Sequence, residues 1–243
     1  MTDSVTVETR ESVTIVSLAR PDKANALSGE MSDGIRDAIH AATASGARAV
    51  VLRGEGKHFC AGFDFGNFES LTDGDLALRF LQVEEMLQAV FYAPMPVLAL
   101  VQGRAVGAGS DLAAAAMKVV AATGARFQMP GPRFGVVLGT RRLAYRIGPV
   151  AARQIQIENR PVEAEEALSL GMVDALADPA GWEDLIQDFA TKYSVLEPGV
   201  TEALADVTRP DTRDADIAAL ARSVAPPGIK DRIAAFRAAS ARK

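Results

Sequence analysis

Three short apolar runs constrain the fold more than any other feature: Ala49-Val50-Val51-Leu52, Pro96-Val97-Leu98-Ala99-Leu100-Val101 and Val119-Val120-Ala121-Ala122. None alternates apolar with polar residues, so each reads as a strand covered on both faces rather than one with a wet side. Between the first two, Leu76, Phe80, Val83, Leu87 and Val90 recur at spacings of four and three, which predicts a helix over 76–91 ended by Pro94 and Pro96. Between the second and third, an alanine-rich stretch over 110–117 predicts another helix. Strand, helix, strand, helix, strand means a parallel sheet with helical crossovers, an α/β fold.

Upstream, Val5 and Val7, then Val13 to Leu18, flank Arg10-Glu11-Ser12 and predict a hairpin. Ser28 is placed to cap a helix whose stripe is Met31, Ile35, Ala38, Ile39 and Ala42. Past about residue 140 every strong signal is helical. The expected division is an α/β core over 1–185 and a helical region over 186–243.

Charge and rare residues exclude several functions. Basic residues number 26 and acidic ones 31, a net −5, which disfavours a nucleic-acid partner held by phosphate neutralisation. The single cysteine, Cys60, excludes an internal disulfide and a four-cysteine zinc site, and reads as a packed small residue. His40 and His58 are the only histidines, so no metal centre is expected. Gln102 and Arg104 interrupt the longest apolar stretch, so no membrane span is expected. The first residues lack a basic segment followed by an apolar one, and the expected compartment is the cytoplasm.

Two turns carry the chemistry. Gly103-Arg104-Ala105-Val106-Gly107-Ala108-Gly109-Ser110-Asp111 follows a buried strand and opens a helix, and Phe59-Cys60-Ala61-Gly62-Phe63-Asp64 follows the strand at 49–52. Such turns leave backbone N–H groups unpaired, and small side chains let a ligand reach them. They read either as tight strand-to-helix turns or as an oxyanion hole, two N–H donors converging on one oxygen. A dinucleotide fingerprint fails because Leu112 stands at its last glycine. A serine nucleophile elbow fails because Ala108 and Leu112 flank Ser110.

In chain order, four segments resemble the crotonase family of enoyl-CoA hydratases and isomerases. They are Arg20-Pro21-Asp22-Lys23-Ala24-Asn25-Ala26-Leu27, Phe59 to Asp64, Pro96 to Leu112, and Gly148 with Ala164 to Val173. The resemblance implies a spiral of β-β-α turns with a helical C-terminal region used in oligomerisation, as a homotrimer or homohexamer. It implies a coenzyme A thioester as ligand and no separate cofactor. It also implies that the backbone N–H groups of Phe63 and Ala108 hold the thioester oxygen, and that Asp111 stands in the place of a catalytic glutamate. Lys23, Ala24, Ala61, Phe63, Asp64, Phe65, Gly66 and Ala108 would line the path of the ligand.

The chain also departs from the family. Hydratases of this kind use two glutamates, and at the second position stands Gly131, in Met129-Pro130-Gly131-Pro132-Arg133-Phe134-Gly135. The segment Gly139-Thr140-Arg141-Arg142-Leu143 is shorter than its family counterpart. Two functions follow: an enzyme in which Asp111 alone moves a proton at an enolate, giving weak or altered hydratase chemistry, or an acyl-CoA-binding homologue without turnover. The basic C-terminal stretch (Lys230, Arg232, Arg237, Arg242, Lys243) reads either as a contact for coenzyme phosphates or as a solvated helix end.

Overall fold

The computed structural model describes residues 4–240. The hairpin forms as β1 (Val5–Arg10) and β2 (Val13–Leu18), antiparallel with Val7 opposite Val16, and Glu11 turns between them at φ 53°. The three apolar runs become β3 (Ala49–Gly54), β4 (Val97–Val101) and β6 (Lys118–Ala121). With a short edge strand β9 (Ala175–Leu176) they make one sheet of order β1-β2-β3-β4-β6-β9, parallel from β2 onward.

Strand geometry explains the unbroken apolar runs. Successive side chains point to opposite faces, and both faces are covered. Val16, Leu18, Val50, Leu52, Ala99, Val101 and Val119 enter the main core with α1 (Gly29–Ala44) and α2 (Asp73–Phe91). Their neighbours Ile15, Val51, Leu98, Leu100 and Val120 face the other way, onto Trp182, Ile186 and Phe189 of α7 (Trp182–Ser194). Each such side chain taken fully out of water contributes roughly 1.5–3 kcal/mol.

Ser28 caps α1 as expected, its side chain accepting from the Met31 N–H at 3.1 Å. Helix α2 starts three residues before the expected 76, because Thr72 and Asp75 form a reciprocal capping box over a polar first turn. The alanine-rich helix α3 covers Ala108–Ala115 rather than 110–117. A second, three-stranded sheet left no trace in the apolar runs: β5 (Arg104–Val106), β7 (Arg126–Gln128) and β8 (Val162–Glu163), in that order; β5 and β7 follow β4 and β6 as the second strands of the β-β-α turns that the resemblance implies. Strands β8 and β9 also interrupt the region read as wholly helical past residue 140.

The remaining helices are α4 (Thr140–Ile147), α5 (Pro149–Glu158), α6 (Ala164–Ser169), α8 (Val200–Thr208), α9 (Arg213–Val224) and α10 (Ile229–Ser240). Leu220 and Val224 of α9, and Ile229 and Ile233 of α10, are buried in the main core, so the last two helices pack back on the α/β part. No helix among the described residues is long and apolar enough to cross a membrane.

Candidate active site

The two glycine turns lie side by side. The Cys60 N–H donates to the Arg104 carbonyl at 3.1 Å, and the Val106 N–H donates back to the Cys60 carbonyl at 2.9 Å. A parallel bridge pairs Cys60 with Ala105, and another pairs Leu27 with Phe63. Gly62 sits at φ +84°, and a Cβ there would come within 2.3 Å of the Val106 carbonyl oxygen and 3.4 Å of the Ala108 nitrogen. Only glycine permits that approach and that backbone angle.

In the first turn nearly every amide is spent on the protein; in the second, the Gly109 and Ser110 N–H groups, like that of Ala108, lack a backbone acceptor. From 59 to 64, the N–H groups of Phe59, Cys60, Ala61 and Asp64 donate to the carbonyls of Gln102, Arg104, Ala24 and Leu27, and that of Gly62 donates to the Cys60 sulfur. The Gly107 N–H donates to the Gln128 carbonyl at 2.7 Å. Among the described residues the N–H groups of Phe63 and Ala108 have no such acceptor. Ala108 opens α3, where the helix leaves its first donors free and carries a partial positive charge.

Both residues line one cavity of about 700 Å³, together with Ala61, Phe65, Asp111 and Gly131. Asp111, one turn into α3, is only 5% exposed, and its carboxyl has no hydrogen-bond partner among the described residues. Burial raises its pKa well above the ordinary 3.8; the positive charge of Arg142 opposes the shift and the negative charge of Glu84 adds to it. The carboxyl therefore resists ionisation.

Behind it stands an ionic cluster that the sequence reading missed. Arg142 and Glu84, each 1% exposed, form two hydrogen bonds of 3.0 and 2.6 Å, and Asp216 lies 3.6 Å from the same guanidinium. Its one trace in the sequence is Glu84, an acid beside Val83 on the buried face of α2. An aromatic wall was also missed: Phe63 stacks on Phe80 at 4.2 Å between centroids, and Phe134 packs on Phe236 at 5.1 Å. Phe236 and Ser240 bring α10 to the cavity, and Gln156 of α5 lines it with its amide nitrogen unpaired.

The other expected ligand-path residues divide. Asp64 bonds Arg20 at 2.9 Å and accepts from the Gly66 N–H at 2.8 Å. Burial would raise its pKa, but those bonds hold it below the ordinary value. Asp64 and Gly66 thus brace the turn, and neither lines the cavity. Ala24, at φ 49°, is tied to the cavity loop through its carbonyl, and Lys23 is exposed beside it. Cys60 is buried and free, its thiol pushed up to about 12 by burial. Among the described residues no cluster of three or more His, Cys, Asp or Glu could hold a metal.

The C-terminal cations do something neither sequence reading foresaw. Arg232 donates to the carbonyl of Phe134 at 3.1 Å, Arg237 lies over the Phe68 ring at 4.6 Å, and the Lys230 ammonium donates to the Glu69 carbonyl. Arg232 thereby ties α10 to the cavity wall at Phe134, and the other two tie it to Phe68 and Glu69 beside that wall's turn. Arg242 and Lys243 lie outside the described residues.

Comparison with known proteins agrees with this architecture. The enoyl-CoA hydratase/isomerase family model matches residues 8–222. A protein of Rhodobacter capsulatus named "Probable enoyl-CoA hydratase" is 36% identical over 176 residues, 70% of this chain and 67% of that one. A crystal structure from Bordetella parapertussis, named as an enoyl-CoA hydratase/isomerase, is 40% identical and superposes with a TM-score of 0.95 over 98% of this chain and 99% of that one. An enoyl-CoA hydratase/isomerase from Xanthobacter autotrophicus Py2, 28% identical, gives 0.86 over 98% and 93%. The chain belongs to the enoyl-CoA hydratase/isomerase family and has the crotonase fold.

Proposed function

We propose that this chain acts on an acyl-CoA thioester, receiving the thioester oxygen between the Phe63 and Ala108 N–H groups and moving a proton at the enolate with Asp111. One observation carries the reading: two unspent amides from separate turns border the same cavity as a buried carboxyl of raised pKa. Donors fixed in place before the reaction stabilise developing negative charge at ~3 kcal/mol each. No second carboxylate lines the cavity among the described residues, and Gly131, which borders it, can exchange no proton. Chemistry that needs one acid/base group, such as isomerisation or slow hydration, fits better than fast hydration, since a missing group costs ~10²–10⁴ in rate. Gly131 also favours a second reading, acyl-CoA binding without turnover.

Ala108→Pro tests the amide directly. Position 108 is the first of its helix, where proline is tolerated, and the substitution puts the ring Cδ in the place of the N–H. Turnover of a short 2-enoyl-CoA should fall by ~10²–10³, and unchanged turnover would end the oxyanion assignment. Asp111→Asn should abolish turnover while leaving CoA-ester binding in place. A wild-type protein that binds the ester and gives no hydration or isomerisation product would establish the second reading.

A further inference from the structure

Gln156 is a polar side chain whose role neither the fold nor the proposed chemistry explains. It lies in α5, is 7% exposed and lines the cavity that Asp111, Phe63 and Ala108 share. Its carbonyl Oε1 accepts from the Thr140 hydroxyl at 3.1 Å, which fixes the amide plane. Its Nε2 is buried with no hydrogen-bond partner. The cavity's other glutamine, which is half-buried, differs: Gln128 Nε2 donates to the Asn159 carbonyl at 2.9 Å. Thr140 follows Gly139, which abuts the Asp111 carboxyl, so Gln156 is held at the Asp111 end of the cavity.

A buried donor left unpaired costs free energy until an acceptor reaches it. A plain alkyl chain entering the cavity offers no acceptor, so the donor stays unpaired. An acyl chain carrying an oxygen at the right depth supplies the bond. Of the acceptors lining the cavity, the Asp111 carboxyl and the Gln128 and Asn159 amides make no hydrogen bond to this nitrogen.

We infer that Gln156 is a specificity-determining residue, selecting CoA esters whose acyl chain bears a hydroxyl or keto oxygen over unsubstituted esters of equal length. The inference rests on the acyl-CoA reading above and deepens it, with Thr140 as the positioning residue for the amide.

The test is a set of binding titrations of the wild-type protein with butyryl-CoA, 3-hydroxybutyryl-CoA and 4-hydroxybutyryl-CoA, repeated with Gln156→Leu. At least one hydroxylated ester should bind wild type about tenfold more tightly than butyryl-CoA, because an unpaired buried donor is penalised by roughly that factor. In Gln156→Leu the preference should shrink to under twofold, with butyryl-CoA bound as well as before or better. Equal affinity of wild type for all three esters overturns the inference and leaves the acyl-CoA reading intact. So does a preference that survives in Gln156→Leu. Failure of wild type to bind any of the three removes both. If the leucine variant does not fold, Thr140→Val, which frees the Gln156 amide plane, takes its place: the preference should shrink there too, and a preference that survives overturns the inference.

Discussion

Gly139 packs against the Asp111 carboxyl so closely that a Cβ added to it would lie 2.3 Å from Oδ1 and 2.4 Å from the carboxyl carbon. The glycine also stands at φ +64°, in the left-handed region that L side chains enter reluctantly. The short segment after Gly131 therefore does more than shape the cavity: its glycine sets where the buried acid can sit.

Gly139→Ala should accordingly damage both stability and activity. Backbone strain and the forced displacement of a buried carboxyl together cost about 2 kcal/mol or more. Turnover should fall at least tenfold, because a catalytic group moved by an ångström loses its alignment. Thermal melts and steady-state assays on one preparation check this, and a fully active, equally stable variant would show that the carboxyl has room to move.

Asp111 makes a pH-dependent contribution to stability whose sign follows from its raised pKa. Above the ordinary 3.8 the unfolded chain has released this proton while the folded chain retains it. The native state binds more protons, so the contribution is complete below that value, is lost as pH rises toward the folded pKa, and is flat beyond it. Asp111→Asn has no ionisation to resist. Its melting temperature should match wild type near about pH 4 and exceed it increasingly as pH rises. A constant difference across the series would contradict a buried, proton-retaining carboxyl.

Glu84→Gln breaks the buried pair with Arg142 and leaves that guanidinium with Asp216 at 3.6 Å as its remaining acid. Removing one partner of a buried ion pair typically costs about 3 kcal/mol or more. The loss of a negative charge should also lower the Asp111 pKa, since Glu84 raises it. Denaturant titration measures the first effect, and the acid limb of the pH–rate profile, moved to lower pH, measures the second. An unmoved limb would uncouple the cluster from the site.

The Cys60 thiol, fully buried and pushed up to about 12, should resist alkylation in the folded protein at mildly alkaline pH. Denaturant should expose it to full labelling. Rapid modification of the native chain, followed by mass spectrometry, would show that the loop beside the Phe63 amide opens readily.

What could be read from sequence follows from how locally each feature is encoded. The three buried strands announce themselves because covering both faces removes polar residues from the run, as at 49–52. The Ser28 cap is equally local. Strands β5, β7, β8 and β9 are two or three residues long and leave no periodicity to detect. The family model and the neighbouring structures agree with the resemblance. The two turns were legible from their small residues alone, and the resemblance pointed within them to Phe63, Ala108 and Asp111, which border one cavity. Gln156 and Phe236 stayed hidden for a different reason. Each looks like an ordinary helix residue until chain folding carries it from α5 or α10 to a wall whose other residues begin at Ala61. Likewise Arg142 is one of two adjacent arginines, and only tertiary packing buries it while Arg141 stays exposed as it reaches the buried Asp216.

The docking of α10 has a consequence for biosynthesis. Phe236 and Ser240 are made long after the turns at Ala61 and Ala108, yet they border the same hollow. A ribosome that has released the sheet but still holds that helix in its exit tunnel carries a chain whose hollow lacks one side. Competence to hold a ligand thus arrives only once α10 has emerged, and a stop codon shortly before Ile229 would give an open, greasy cleft in place of a finished one.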